Sequence, residues 1–455
     1  MIKRFKFLIL VLVLAFFYSS CQYKVATDTA KLRGKLVNPK SDQILVSDNF
    51  FLINSDTLPL VNNNEVQGVV ATPKEGLYIL FAQPEYQTIY LKPGDSLAFH
   101  LNVDDFDESL SFSGNLGFEN NLLMELFLAN EKESIYFYQH HFNFSVAQFL
   151  QKIDSFDREK QSILDGYQSE YRGTTKKFKQ IISLLNQSMT MNLKEVYAKK
   201  NPHQKLPESY FSYCKMLDKP LADPNVIYMY AFANAFLSRQ LSDQHLASQN
   251  LYLAIANLIN KHFKDPDFKN NLLTSYCYRY IGKKHVVRED TVVKTYFKYL
   301  HNPAFKQRCQ NLITKNSRLQ IGKTFPQITL INDQGEVVNS DELFNNHQVL
   351  ISFWDLSKPN NFLSNQKKLK ALHQQFPNLD FVVININPDN YNDWKLQLPQ
   401  SNDILFLQAT DTRQIENVTP YHLSQIFVLD NQKIMLSMQN MYAPDFSKQL
   451  QNIVK

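Results

Sequence analysis

No two cysteines in this 455-residue chain stand close enough to make a CxxC pair: the four fall at 21, 214, 277 and 309. That count and spacing exclude a disulfide-dense scaffold. One bridge among the last three, or buried free thiols, are the remaining options. No long basic run exists either. The formal charge of +5 falls to +2 once residues 1–20, with Lys3, Arg4 and Lys6, are set aside, leaving 45 basic against 43 acidic residues. A balance so near neutral argues against nucleic acid as a partner. The residues after Cys21 carry no acidic cluster, and the chain has no low-complexity block and no internal repeat. Glycine is scarce, at 11, whereas Phe numbers 34, Tyr 23, and apolar types reach 44%. That supply suffices for real cores, and the length calls for two or three domains.

What is present begins with a leader pattern. Lys3, Arg4 and Lys6 flank the start of an unbroken apolar run, Phe7 to Phe17, too short to cross a bilayer core as a permanent helix. Small residues then lead to a cysteine, Tyr18-Ser19-Ser20-Cys21. This order resembles the lipobox of bacterial lipoproteins. The resemblance implies removal of residues 1–20 and acylation of Cys21, with palmitate among the chains. Each buried methylene of such an anchor contributes roughly 0.8 kcal/mol. It further implies a protein held in the cell envelope, with the membrane as a partner through lipid. The missing acidic cluster after Cys21 favours an outer-membrane anchor facing the periplasm. A cleaved secretory signal with a chance cysteine, or a short membrane anchor, is the plainer alternative.

Residues 30–115 show short apolar stretches separated by turn formers, such as Gly76-Leu77-Tyr78-Ile79-Leu80-Phe81, Thr88-Ile89-Tyr90-Leu91 and Ser96-Leu97-Ala98-Phe99-His100-Leu101, with Pro93-Gly94-Asp95 between the last two. This spacing predicts an antiparallel β-sandwich over residues 21–117. Gly34-Lys35-Leu36-Val37-Asn38, Leu91-Lys92-Pro93-Gly94-Asp95-Ser96-Leu97, and Phe112-Ser113-Gly114-Asn115 with Glu119-Asn120-Asn121 resemble an uncharacterised β-sandwich family. That family commonly precedes thioredoxin-like domains in Gram-negative lipoproteins. It lends fold and context but no chemistry.

Residues 118–318 turn helical in period, as in Phe149 to Phe156, Ile181 to Leu185, Val226 to Phe236 and Leu251 to Phe263. Pro202, Pro207, Pro220, Pro224, Pro266 and Pro303 fall between the runs, where helices are expected to end. Tyr136-Phe137-Tyr138 and Tyr228-Met229-Tyr230 fit a core at helical spacing better than a ligand groove. Gln139-His140-His141 invites a metal, yet adjacent helical residues point about 100° apart and do not converge on one ion. No metal site and no cofactor is expected.

From residue 319 to the end, strand and helix alternate, the pattern of a sheet with crossover helices. Val349 to Trp354 and Phe381 to Ile386 read as buried strands around an amphipathic helix, Asn361 to Phe376. Ile426 to Asp430 with Lys433 to Leu436 make a closing hairpin, and a terminal helix follows Ala443. The whole is a multidomain α+β chain. Ile321-Gly322-Lys323-Thr324-Phe325-Pro326, Asp333-Gln334-Gly335, Phe353-Trp354 and Phe427-Val428-Leu429-Asp430, in this order and at these distances, resemble the TlpA-like thioredoxin family. The resemblance implies a thioredoxin-like α/β domain over residues 319–455.

The departure lies where that family carries its CxxC. After Phe353-Trp354 this chain reads Asp355-Leu356-Ser357-Lys358-Pro359-Asn360-Asn361. The cysteine positions fall on Ser357 and Asn360, or on Lys358 and Asn361. None of these can form and resolve a mixed disulfide. Ser357 or Asn360 fits a helix N-cap better. The family's cis-proline falls on Ser424, where a cis bond would cost roughly 2.5–4 kcal/mol, so a trans loop is expected. No residue is assigned a catalytic role. The leading expectation is a non-enzymatic lipoprotein that binds a protein, peptide or glycan in the envelope. The alternative is a thiol-disulfide oxidoreductase working through Cys214, Cys277 or Cys309. A hydrolase in the helical region stays a residual class, without paired carboxylates to support it.

Overall fold

The computed structural model describes residues 28–52, 55–62, 64–243, 250–283, 290–355, 359–388, 391–399, 403–420 and 423–454. The chain divides into two compact units, Met1–Ile135 with Asp154–Asn186, and Tyr136–Ile153 with Gln187–Lys455. The largely helical stretch opens at Gly117 and closes at Arg318, and the compact units cut across it.

In the first unit eight strands join in one hydrogen-bonded sheet. They are β1 (Thr29–Val37), β2 (Gln43–Ser47), β3 (Asp56–Val61), β4 (Glu65–Ala71), β5 (Gly76–Ala82), β6 (Glu85–Leu91), β7 (Ser96–Asn102) and β8 (Ser111–Ser113). The order is β6-β5-β2-β3-β4-β1-β7-β8. The expectation of an all-antiparallel arrangement needs one correction: β1 and β7 run parallel, from Lys31↔Ser96 to Val37↔Asn102. Five strands intervene between them in sequence, and so long a connection is what parallel neighbours require. Along β1 burial alternates, with Ala30, Leu32 and Leu36 inside and Lys31, Arg33 and Lys35 outside, the period of a half-buried strand. Gly34 answers a close approach: a Cβ there would sit 2.2 Å from Phe99 Cζ.

Three long helices, α1 (Gly117–Gln139), α2 (Val146–Gly166) and α3 (Lys176–Lys200), each run from one unit into the other. Within the first unit, Tyr90 of β6 meets Phe178 of α3 edge to face at 4.9 Å.

The second unit adds α4 (Ile227–Asp243), α5 (Leu251–His262), α6 (Pro266–Lys283), α7 (Thr291–Tyr299) and α8 (Pro303–Arg318). Two prolines expected to close helices open them instead. Pro266 and Pro303 are first residues, where a missing N–H costs nothing. Asp265 before the one accepts from Phe268 N at 2.8 Å. Asn302 before the other accepts from Ala304 N at 3.0 Å, a cap in each case.

The unit's sheet comprises β9 (Thr329–Ile331), β10 (Val337–Asn339), β11 (Gln348–Trp354), β12 (Asp380–Asn385), β13 (Leu405–Ala409), β14 (Gln425–Asp430) and β15 (Lys433–Asn440). Helix α9 (Pro359–Gln375) joins β11 to β12. Helices α10 (Tyr391–Leu396) and α11 (Thr412–Val418) flank β13, and α12 (Phe446–Gln451) closes the chain. The order is β10-β9-β13-β12-β11-β14-β15. Strands β11, β12 and β13 are parallel, and β14 and β15 are antiparallel beside β11. A parallel βαβ unit followed by an antiparallel hairpin and a helix is the thioredoxin-like arrangement.

Burial explains why these runs are almost wholly apolar. Side chains alternate between faces, and both faces are covered. Val349, Ile351 and Phe353 join Val382, Ile384, Phe427 and Leu429 in one cluster. Leu350 and Trp354 join Phe381, Val383, Ile426 and Val428 in the other, with Leu369, Leu372 and Phe376 from α9 and its C-terminal flank.

Candidate functional site

The antiparallel register Ile351↔Phe427 brings the start of β14 to the C-terminal end of β11. The Leu423–Ser424 turn and the end of β11 at Trp354 therefore share one end of the sheet. Helix α9 begins at Pro359, a residue suited to a first position by its fixed φ. Asn360 and Asn361 are thus its second and third residues. This corrects the reading of Asn360 as the cap, since the helix is already under way there. Ser357, Lys358 and Cys21 lie outside the described residues. Ser424 is half-buried, and its carbonyl accepts from Met441 N at 3.2 Å. The sole cis peptide among the described residues is Gln83–Pro84, so the bond before Ser424 is trans.

The three remaining cysteines stand elsewhere in the second unit. Cys214 lies in the 3-10 stretch Glu208–Asp218 and is half-buried. Burial, then the charge of Glu195, pushes its thiol up to about 11. Cys277 on α6 and Cys309 on α8 are wholly buried and free. A hydrogen bond with Cys309, and then burial, holds the Cys277 thiol well above its ordinary value. Thiols raised in this way keep their protons at neutral pH and are poor nucleophiles.

Two buried charge clusters were not legible in sequence. On α3, Glu195 is wholly buried and takes two bonds from Arg239 of α4, Nε to Oε2 at 2.5 Å and Nη2 to Oε1 at 2.9 Å. Tyr213 donates its hydroxyl to Glu195 Oε1 at 2.8 Å, and the guanidinium lies over Phe211, 4.3 Å from the ring centroid. The carboxylate's lone pairs are committed to neighbours, so the cluster clamps its elements together rather than offering a free base. In the first unit, Lys160 of α2 reaches Glu133 Oε2 of α1 at 2.8 Å and Asp157 at 2.9 Å. Burial raises the Glu133 carboxyl above the ordinary range, and Lys160 offsets this only in part. Glu133 and Lys160, like Glu195 and Arg239, come from different helices and no spacing rule links them, whereas Asp157 stands three residues before Lys160 on the same helix.

His140 and His141 follow the last residue of α1. His140 Nδ1 lies 2.7 Å from Tyr136 O, and its ring stands 4.3 Å from that of Tyr136. Among the described residues no group of three His, Cys, Asp or Glu could hold a metal ion. Phe137 and Met229 are wholly buried, whereas Tyr138 is exposed. Phe149 stacks on Tyr197 with centroids 4.1 Å apart. No helix among the described residues is long and apolar enough to cross a membrane.

No protein-family model matches the sequence, and no curated protein matches it. Solved structures similar to parts of the chain include the thioredoxin domain of a thiol-disulfide oxidoreductase from Bacteroides vulgatus, 18% identical, covering 30% of this chain and 99% of that one at a TM-score of 0.25. A thiol:disulfide interchange protein from Bacteroides sp. is 19% identical over 30% of this chain and 91% of its own, with a TM-score of 0.26. A thioredoxin-like protein from Bacteroides caccae is 12% identical and covers 55% of this chain and 97% of its own, at 0.28.

Proposed function

We propose that this chain is a lipid-anchored envelope protein of the TlpA-like type whose thioredoxin-like domain binds a protein, peptide or glycan partner without thiol chemistry. One observation carries the reading: no cysteine occurs from residue 310 to 455. Disulfide exchange needs a thiolate to attack and a second thiol to resolve the mixed disulfide. After Phe353-Trp354 the sequence offers Ser357, Lys358, Asn360 and Asn361 where cysteines are needed, and Ser424 where the supporting proline would stand. Cys214, Cys277 and Cys309, with thiols half or wholly buried, are poor substitutes. The anchor rests on the charged start, the apolar run and Cys21.

Insulin reduction by dithiothreitol, with and without the purified protein, tests the loss of redox activity. Turbidity at the background rate is expected, and acceleration that alkylation abolishes would overturn the reading. For the anchor, Cys21→Ser should move the protein from the membrane to the soluble fraction.

A further inference from the structure

Two helix-to-helix contacts fix the register between α6 and α8. Near the start of both, Asn270 Oδ1 accepts from His301 N at 2.9 Å and from Asn302 N at 3.3 Å. Near the end of both, Asn316 Nδ2 donates to Ile281 O at 2.8 Å. The helices therefore run parallel, tied at each end by a buried asparagine. Between the ties, Leu273, Cys277 and Ile281 recur every fourth residue on α6, as do Phe305, Cys309 and Ile313 on α8. These are the facing stripes of two packed helices. Cys277 and Cys309 stand level on the two stripes, each seven residues beyond the Asn270–Asn302 tie, and both are wholly buried.

We propose that Cys277 and Cys309 are a disulfide site, a latent covalent staple between α6 and α8 that closes when the chain folds in the presence of a small-molecule disulfide. The reaction balances with glutathione disulfide as oxidant. The thiolate of one cysteine attacks it, forming a protein–glutathione mixed disulfide and releasing one glutathione thiol. The second cysteine attacks the mixed disulfide through its own sulfur and releases the second glutathione. Two protein thiols are oxidised, one glutathione disulfide is reduced to two thiols, and the two protons pass to those products.

Timing follows from burial. Both sulfurs are wholly enclosed in the native chain, and the raised Cys277 thiol keeps its proton, so exchange belongs to the folding chain and not to the folded one. Cys214, on a different element and half-buried, is outside the pair.

Refolding the full chain from denaturant in a buffer of reduced and oxidised glutathione tests the site. Peptide mapping without reductant should recover Cys277 linked to Cys309. The melting temperature should exceed that of the chain refolded in dithiothreitol by roughly 5 °C. Cys277→Ser should abolish that gain in glutathione buffer. Recovery of both cysteines as free thiols after refolding with the oxidant, or of either one joined to Cys214 or Cys21, would overturn the proposal.

Discussion

Asn120 closes both backbone groups of Tyr90 with one side-chain amide. Its Oδ1 accepts from Tyr90 N at 2.8 Å and its Nδ2 donates to Tyr90 O at 3.0 Å. Tyr90 lies in β6, an edge strand of the first sheet, whose outward backbone groups would otherwise stay unpaired. The neighbouring Asn121 does the same for Phe112, accepting at 2.9 Å and donating at 2.8 Å. The start of α1 thus takes the place of a further strand. Asn120→Ala strands a buried donor and a buried acceptor, at roughly 1–3 kcal/mol each. A loss of about 2–5 kcal/mol in denaturant unfolding is expected, and a change below 1 kcal/mol would mean that the amide is dispensable.

The Glu195–Arg239 clamp predicts an asymmetry. Removing one partner leaves a charge buried alone, a cost of about 3–5 kcal/mol. Glu195→Ala should therefore destabilise strongly. The double variant with Arg239→Leu should recover part of the loss, because the orphaned guanidinium is gone. Chemical denaturation of both variants reads the difference. Equal stability of the single and double variants would show that the charge pair is not what matters.

The Glu133 carboxyl predicts a pH dependence of definite sign. Its folded value is raised above the ordinary 4.5, so the native state keeps a proton that the unfolded chain has released. The stability tied to that proton is fully present below the ordinary value and is lost as pH rises through the raised one. Melting curves from pH 4 upward, compared with Glu133→Gln, should show the wild type losing ground to the variant over that window. A parallel pair of curves would refute the assignment.

At Cys214 the expected readout is chemical. A thiol pushed up to about 11 has roughly a hundredfold less thiolate at pH 8 than an unperturbed one. Iodoacetamide should label it about a hundredfold more slowly than glutathione in the native protein, and at the ordinary rate after unfolding.

Much of the second sheet could be read from residues because both of its faces are covered. Val349 to Trp354 and Phe381 to Ile384 are nearly unbroken apolar runs, and the covered faces leave no room for alternation. Strand β13 carries no such signal: its apolar core, Ile404 to Leu407, is four residues inside a polar stretch, too short to show a period. Helices α10 and α11 beside it, six and seven residues long, are too short to show one either. Pro266 and Pro303 show that a proline between helical runs does not by itself tell an end from a start, because the Asp or Asn before each is the cap that decides it. The Glu195–Arg239 pair and the Cys277–Cys309 contact depend on which helices pack together, and one sequence does not encode that in any spacing. Asn120 and Asn121 belong to a sequence motif, but their task depends on β6 and β8 lying against the start of α1, which no local pattern encodes.

The discontinuous makeup of the first unit bears on how the protein is made. A nascent chain emerges in order, and its leading part folds first when it can. Here Tyr90 must wait for Phe178, and Glu133 for Lys160, so the sheet lacks interior partners until residue 186 has emerged. Residues 136–153 emerge earlier and wait in turn for Tyr197 and the helices beyond. No single truncation point releases either unit intact. A fragment ending at residue 135 should expose the unpartnered face of α1 and aggregate.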